Sequence, residues 1–384
     1  MQASFISSLN DITESQWMQL THNGNPFMRR EFLLAMEVSD VTCQKSGWQP
    51  MHMILTDHQG LVAFMPVYLK NHSYGEYVFD WSWADAWERY GLAYYPKLVS
   101  AVPYTPSQSQ RILLRAGIQL ADVAHLIFDT IRQQALRLGA SSWHLLFPDD
   151  DENKQLEQAG SMTRLNCQFH WFNTGQWQDF EQFLGSFSSR KRKNVRQERK
   201  KVAKQNLSLR RVMGQEITDQ ELEHFYHCYH LTYMRRGRQG YLNKAFFEHI
   251  VRSMPEQIML VIADYQPTDT TKPESVAAAL FFYDEHSLYG RYWGSKVDAD
   301  CLHFEACYYQ GIEFCLEQGL QHFDPGTQGE HKISRGFHPV ITTSNHWIAE
   351  EGFIPAIEQF IQDEAEHTMQ YAEQACELLP YKDQ

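Results

Sequence analysis

Apolar and polar positions along this chain repeat in one order twice. In the first half, residues 51–56 form a short apolar stretch that meets the turn signal Asp57-His-Gln-Gly60, and residues 61–69 read as a returning strand. Pro66 places an edge or a bulge in that strand, because proline cannot donate to a ladder. In the second half, residues 258–264 read as a strand, 266–274 as a polar loop containing proline, and 276–283 as the return strand. Both hairpins lead into an aromatic strand, 77–83 and 288–294. A long helix follows each. Leu120–Leu138 repeats apolar residues at Leu120, Val123, Ala124, Ile127, Ile131 and Leu138, with Gly139 as its stop. Residues 302–318 place Phe304, Tyr308, Ile312 and Cys315 on one stripe and end before Gly319. Short strands close each set, at 143–147 and 322–324. Hairpin, strand, helix, strand predicts an α/β protein of two lobes, each a mixed sheet flanked by helices.

Between the halves, 180–187, the basic block that follows, 218–233 and 244–254 read as helices. The tail, 357–379, is amphipathic and reads as a closing helix. The expected partition is 1–175 for the first lobe and 176–384 for the second, which opens with the basic helix and closes with the amphipathic one. A length of 384 residues suits two domains.

Composition changes the picture in three places. The first residues carry no basic or apolar leader, and the longest apolar run, 276–283, is far below the roughly 20 residues of a membrane span, so the expected location is the cytoplasm. Seven cysteines without a CxxC pair read as reduced, mostly packed thiols. The net charge of −13 argues against nucleic-acid binding by the whole surface, yet between Arg190 and Arg211 stand eleven Lys/Arg and one acid, Glu198. Arg192, Arg196 and Arg199, flanked by Lys193, share one helical face and form a candidate anion site. Its expected partner is a polyanion: a nucleotide-linked precursor, a tRNA acceptor stem or an acidic lipid.

Several strings together resemble the FemAB-like family of the GNAT acyltransferase superfamily, proteins of peptidoglycan biosynthesis or recognition. They are Tyr94-Tyr-Pro-Lys97, Pro103-Tyr-Thr-Pro106, Gln168-Phe-His-Trp171, Arg190-Lys-Arg-Lys193 and Leu288-Tyr-Gly-Arg-Tyr-Trp-Gly294, then Leu302-His-Phe-Glu305, Gly329-Glu-His-Lys332 and Arg335-Gly-Phe337. The resemblance implies tandem GNAT-like lobes and transfer of an acyl or aminoacyl group to an amine on a small molecule or peptide, such as a peptidoglycan-type precursor. The implied donor is acyl-CoA or aminoacyl-tRNA.

Such a transfer needs a proton acceptor for the attacking amine and donors for the developing oxyanion. A CoA-binding lobe adds a glycine-rich turn at a helix N-terminus to hold the pyrophosphate. The segment 102–113 stands at that place in the first lobe, with Ser109 and Gln110 where glycines are expected, and the second lobe has no glycine-rich turn between Gly294 and Leu302. Both departures weigh against acetyl-CoA. In the second lobe, Glu305 and Glu330 are candidate general bases, with His331 beside them, and His303, Arg291, Lys332 and Arg335 candidate substrate ligands. The alternative is a structural network pairing Glu330 with Lys332 and Glu305 with Arg291. In the first lobe, Asp80, Trp81 and Trp83, with Tyr104 and Arg111, suit a sugar or amine acceptor or simply a packed corner. His303-Phe-Glu305 lacks the P-C-x-x-C partner of zinc deaminases and HExxH is absent, so no metal is expected. The rival to an enzyme is a non-catalytic module that binds a sugar–peptide or anionic ligand through Trp81, Trp83 and the basic helix.

Overall fold

The computed structural model of the protein describes residues 1–267, 272–327 and 329–382. The chain divides into two units, one of Met1–Cys167 with Ile341–Tyr371, the other of Gln168–Val340 with Ala372–Gln384. The first unit thus takes back a late segment that a partition at 175/176 leaves in the second. The reason is strand pairing: Ser344 to Ile348 of the strand His338–Ile348 lie antiparallel to Ser142–Leu146. The expected loop at 266–274 falls partly outside the described residues.

In the first unit, the hairpin His52–Asp57 and Gly60–Met65 pairs Met53 with Met65 and Leu55 with Ala63. The expected strand at 61–69 is broken at Pro66. Its first part stays in this sheet, and Tyr68–Lys70 pairs instead with Lys97–Ser100 in a second sheet. Lys97–Ser100 runs parallel to Ser142–Leu146, and the helix Leu120–Leu138 joins them in sequence. That helix buries Val123, Ile127 and Ile131 on Leu98, Trp143 and Leu145. Gly139 ends it at φ 65°, a left-handed cap that glycine adopts without steric cost.

The aromatic strand expected at 77–83 is not formed; residues Trp81–Arg89 are helical. Trp83 and Trp87 are four residues apart, so a helix puts both on one face, where they pack on Tyr94, Ile348 and Ile357. The place of that strand is taken by Lys97–Ser100.

Alternation then leaves Lys97, Ser142 and His144 on the opposite face of the sheet from Leu98 and Trp143. These polar side chains are buried and hydrogen-bonded to polar neighbours. Lys97 Nζ donates to Ser73 Oγ at 2.8 Å and Glu76 Oε2 at 2.7 Å, and pairs with Asp80. Tyr94 OH donates to Asp80 Oδ2 at 2.5 Å, and His144 Nδ1 meets His346 Nδ1 at 2.5 Å. Burial raises Glu76 to about 7 against the pull of Lys97. Burial alone would also raise Asp80, but Lys97 and His144 hold it well below the usual carboxylate range. Lys97→Met strands two buried carboxylates, so it should cost about 3–5 kcal/mol of unfolding free energy. Denaturant titration checks this; a loss under about 1 kcal/mol, the value of an exposed pair, contradicts it.

The second unit is a meander of Leu207–Met213, Ile258–Tyr265, Glu274–Tyr283 and Ser287–Ser295, each antiparallel to the next. Ser287–Ser295 is then joined in parallel by His322–Asp324. Helices cover both faces, which is why the central strands Ile258–Tyr265 and Glu274–Tyr283 read as near-continuous apolar runs. On one face Asp219–Met234 comes so close that a Cβ on Gly294 would sit 1.8 Å from the Cys228 carbonyl oxygen. On the other, Gly311 of the helix after residue 302 lets it lie against Phe323 and Leu288. No helix among the described residues is long and apolar enough to cross a membrane.

Candidate active site

The parallel pair of the second unit is short. Ser287–Ser295 meets His322–Asp324 at only three positions, Ser287, Leu288 and Tyr289. Just beyond, a bulge opposes Leu280 to Tyr292 and Phe281 to Gly290, so Arg291 is the additional residue on its strand. The two strands part there. A cavity of about 100 Å³ opens between them, lined among others by Arg291, Trp293, His303, Cys307, Tyr308 and Pro325. Arg291 turns to Asp324, Nη2 to Oδ2 at 2.6 Å, and both are almost wholly buried. Burial would raise the Asp324 carboxyl, but Arg291 and His170 beside it hold it far down.

The roof of the cavity is the long helix, and it is irregular. After Cys301 at φ 64° come Leu302–Phe304, a π turn over Glu305–Tyr309, and the α-helix Gln310–Gln318. A non-glycine residue in the left-handed region costs about 1 kcal/mol or more, and π turns recur where a helix is shaped for function. Tyr308 OH lies 2.8 Å from His331 Nε2. His303 is packed edge-on against Trp293 and Tyr308. Burial, with His331 and Arg335 next, pushes His303 down to about 4. Burial, Arg335 and Lys332 lower His331 as well, and burial raises the Tyr308 phenol. At neutral pH the cavity therefore faces neutral imidazole and protonated phenol.

The other residues singled out in the sequence fall in several places. Glu305 is buried and held at both oxygens: Arg199 donates from Nε at 3.0 Å and Nη2 at 2.9 Å, and Gln310 Nε2 at 3.0 Å. Its partner is Arg199, where the sequence offered Arg291. Glu330 is exposed, at the start of the turn Glu330–Arg335. Lys332 is buried and donates to the Gly326 carbonyl. Arg335 donates to His331 O at 2.6 Å and Glu198 Oε1 at 2.7 Å, and its guanidinium lies 3.5 Å over the Phe304 ring.

The basic segment is the helix Ser189–Lys204. Its expected face is split: Arg199 turns inward to Glu305 and Glu313, and Arg196 pairs with Glu181. Lys193, Lys200 and Lys204 are exposed with no acidic partner among the described residues, and Arg192 is half-buried.

In the first unit, Asp80 belongs to the Lys97 cluster and Trp83 is buried between His346 and Phe360. Trp81 is 39% exposed, beside Tyr74. Tyr104 is buried, at φ 58°, against Trp48. Arg111 is 1% exposed and donates to Ser107 O, to Ser109 O at 3.0 Å and to Leu146 O at 3.0 Å. Glu152 takes the Arg111 and Ile112 amides at 2.7 and 2.6 Å. The loop 102–113 thus spends its own donors where a phosphate would need them.

Tyr308, Cys307 and Glu198 carry no functional signal in the sequence. Tyr308 lies on the stripe assigned to the core, and the π turn that aims it has no compositional signature. Cys307 was grouped with packed thiols, and Glu198 is a single acid in a basic run.

Two mixed-sheet lobes in tandem, with a cavity where parallel strands part, define the class of protein. The chain belongs to the FemAB-like family, described as peptidoglycan biosynthesis/recognition, whose profile matches residues 8–383. The crystal structure of FemX is similar at 12% identity and a TM-score of 0.53, over 93% of this chain and 100% of that one. L-PGS from Bacillus licheniformis is similar at 10% identity and a TM-score of 0.51, over 90% of this chain and 99% of that one. At such identities the likeness is one of fold. None of the curated proteins matches the chain.

Lys332 gives a pH test. Burial, then Arg291, depress its amine to about 7 from 10.5, despite Asp324. Between those values the unfolded chain binds a proton that the folded one does not, so this contribution to stability is lost as pH falls from 10.5 through 7. Lys332→Met should therefore flatten stability against pH between about 7.5 and 9.5 by up to about 1.4 kcal/mol per unit, the value of one proton. Denaturant unfolding at a series of pH values checks it; parallel curves for both proteins contradict it.

Proposed function

We propose that this protein transfers an acyl or aminoacyl group to an amine, at the cavity of the second unit, and that the acceptor is a peptidoglycan-type precursor. The observation that carries the reading is the opening between Ser287–Ser295 and His322–Asp324 with Tyr308 on its wall and His331 hydrogen-bonded to Tyr308 behind it. Family membership supports the reaction class. The first unit has a corresponding parallel pair, but Arg111 fills the loop at its end, which favours the second unit as the catalytic one.

In the proposed step the amine nitrogen attacks the acyl carbonyl carbon, and the bond from that carbon to the leaving oxygen or sulfur breaks. The proton released by the amine passes through His331 to Tyr308, while Tyr308 gives its own proton to the leaving atom. His303, kept neutral, does not repel an incoming amine. Arg291, on the cavity wall, supplies a guanidinium behind the oxyanion. A cavity of about 100 Å³ suits the acyl end of a donor, with the remainder outside. The exposed Lys193, Lys200 and Lys204 favour a donor or acceptor rich in phosphate, and the missing glycines favour aminoacyl-tRNA over acyl-CoA.

The test is mass detection of acylated product from a muropeptide amine supplied with acetyl-CoA or with aminoacyl-tRNA. Tyr308→Phe and His331→Gln should each lower turnover by about a hundredfold or more, the usual contribution of a placed acid–base group. Tyr308→Phe should cost no more than about 1.5 kcal/mol of stability, since it removes one hydrogen bond. Unchanged turnover in both variants overturns the assignment. Ligand binding without product from either donor favours a non-catalytic binding module.

A further inference from the structure

We infer that Glu198 and Arg199 of the basic helix are positioning residues for the cavity, an inference that rests on the transfer reading above. They are neighbours on Ser189–Lys204, so their side chains leave the helix about 100° apart and reach different parts of the wall. Arg199 takes Glu305, the first residue of the π turn, by two hydrogen bonds, and reaches Glu313 with Nη1 at 2.6 Å. Its guanidinium also lies 4.7 Å from the Phe180 ring centre. Glu198 accepts from Tyr309 OH at the end of the same turn and from Arg335 Nη2 at 2.7 Å. Arg335 in turn holds the His331 carbonyl at 2.6 Å.

Tyr308 lies inside the π turn and His331 at the head of the facing loop. Arg199 fixes the beginning of the turn; Glu198 fixes its end and, through Arg335, the loop. The 2.8 Å contact between Tyr308 and His331 therefore depends on two adjacent residues that touch neither. Burial disfavours the charge of Arg199, yet Glu313 and Glu305 more than restore it, so the clamp stays charged throughout the working pH range. A regular helix holds its own shape, but a π turn needs outside support, and this pair supplies it. The functional consequence is geometric, because a misplacement of about 1 Å can cost about a hundredfold in rate.

The experiment uses the full chain and the variants Glu198→Ala, Glu198→Gln and Arg199→Lys, with two readouts. One is kcat and KM for transfer with whichever donor the wild type accepts. The other is the iodoacetamide alkylation rate of Cys307, which lines the cavity, against Cys315, which is buried in the core, each followed at its own peptide. Glu198→Ala and Arg199→Lys should lower kcat by about tenfold to a hundredfold with KM little changed, as for a displaced acid–base pair. Cys307 should react faster while Cys315 stays protected. Glu198→Gln keeps one carbonyl oxygen to accept from Arg335 and turns its amide N–H to the Tyr309 hydroxyl oxygen, which can accept, so it should recover most of kcat. Unchanged kcat and Cys307 reactivity in folded Glu198→Ala and Arg199→Lys would overturn the inference. Equal deprotection of Cys307 and Cys315 would overturn it too, since that marks general loosening. If the wild type transfers nothing, the transfer reading fails, and the thiol comparison alone still decides whether this pair shapes the cavity.

Discussion

Two parallel strands that pair for three residues and then part leave a gap that must be filled, propped open, or used. In the second unit the gap is propped. Arg291, the additional residue of the bulge, is drawn to Asp324 at the end of the neighbouring strand, and the ion pair is buried on both sides. An ion pair is costly to desolvate, and a pair of apolar side chains would fill the same place more cheaply. What it provides is a fixed separation, because a guanidinium–carboxylate contact has one preferred geometry. The cavity, the helix above it and the loop that brings His331 are arranged around that separation. In the first unit the corresponding place is closed by Arg111 and its ring of carbonyls. One fold used twice thus yields one open and one sealed strand pair.

Charge is distributed in the same spirit. The chain carries −13 overall, yet its interior holds cations that are each matched to acids or carbonyls: Lys97 by Glu76 and Asp80, Arg199 by Glu305 and Glu313, Arg335 by Glu198. Around the cavity this leaves the paired Arg291 guanidinium and the neutral imidazole of His303. The basic helix serves two surfaces. Glu198 and Arg199 hold the π turn, and Lys193, Lys200 and Lys204 are exposed.

Much of the fold was legible because the repeat was legible. Both hairpins, both long helices and both closing strands follow from apolar spacing and glycine stops, and His322–Asp324 stands where the pattern puts it. The strand expected at 77–83 failed because Trp81 and Trp83 alternate as in a pleat while Trp83 and Trp87 share a helical face, and packing on the late segment Ile348 and Ile357 chose the helix. The return of 341–371 to the first unit had no local signal, since it depends on a pairing between residues about 200 positions apart. The sequence singles out residues 303–335, and the structure brings His303 and His331 together there while leaving Glu330 exposed. Glu305 has the composition of a base and the geometry of a strut. Tyr308 has the spacing of a core residue, yet it lies in a π turn and meets His331, and nothing in the sequence announces that turn.

The most direct measurement is a crystal structure of the full chain with a non-hydrolysable acyl-donor analogue. The account predicts the acyl carbonyl in the gap between Ser287–Ser295 and His322–Asp324, against Arg291 and within reach of Tyr308. Donor density in the first unit, at Lys97–Ser100 and the Arg111 loop, with the second-unit cavity empty, would contradict it.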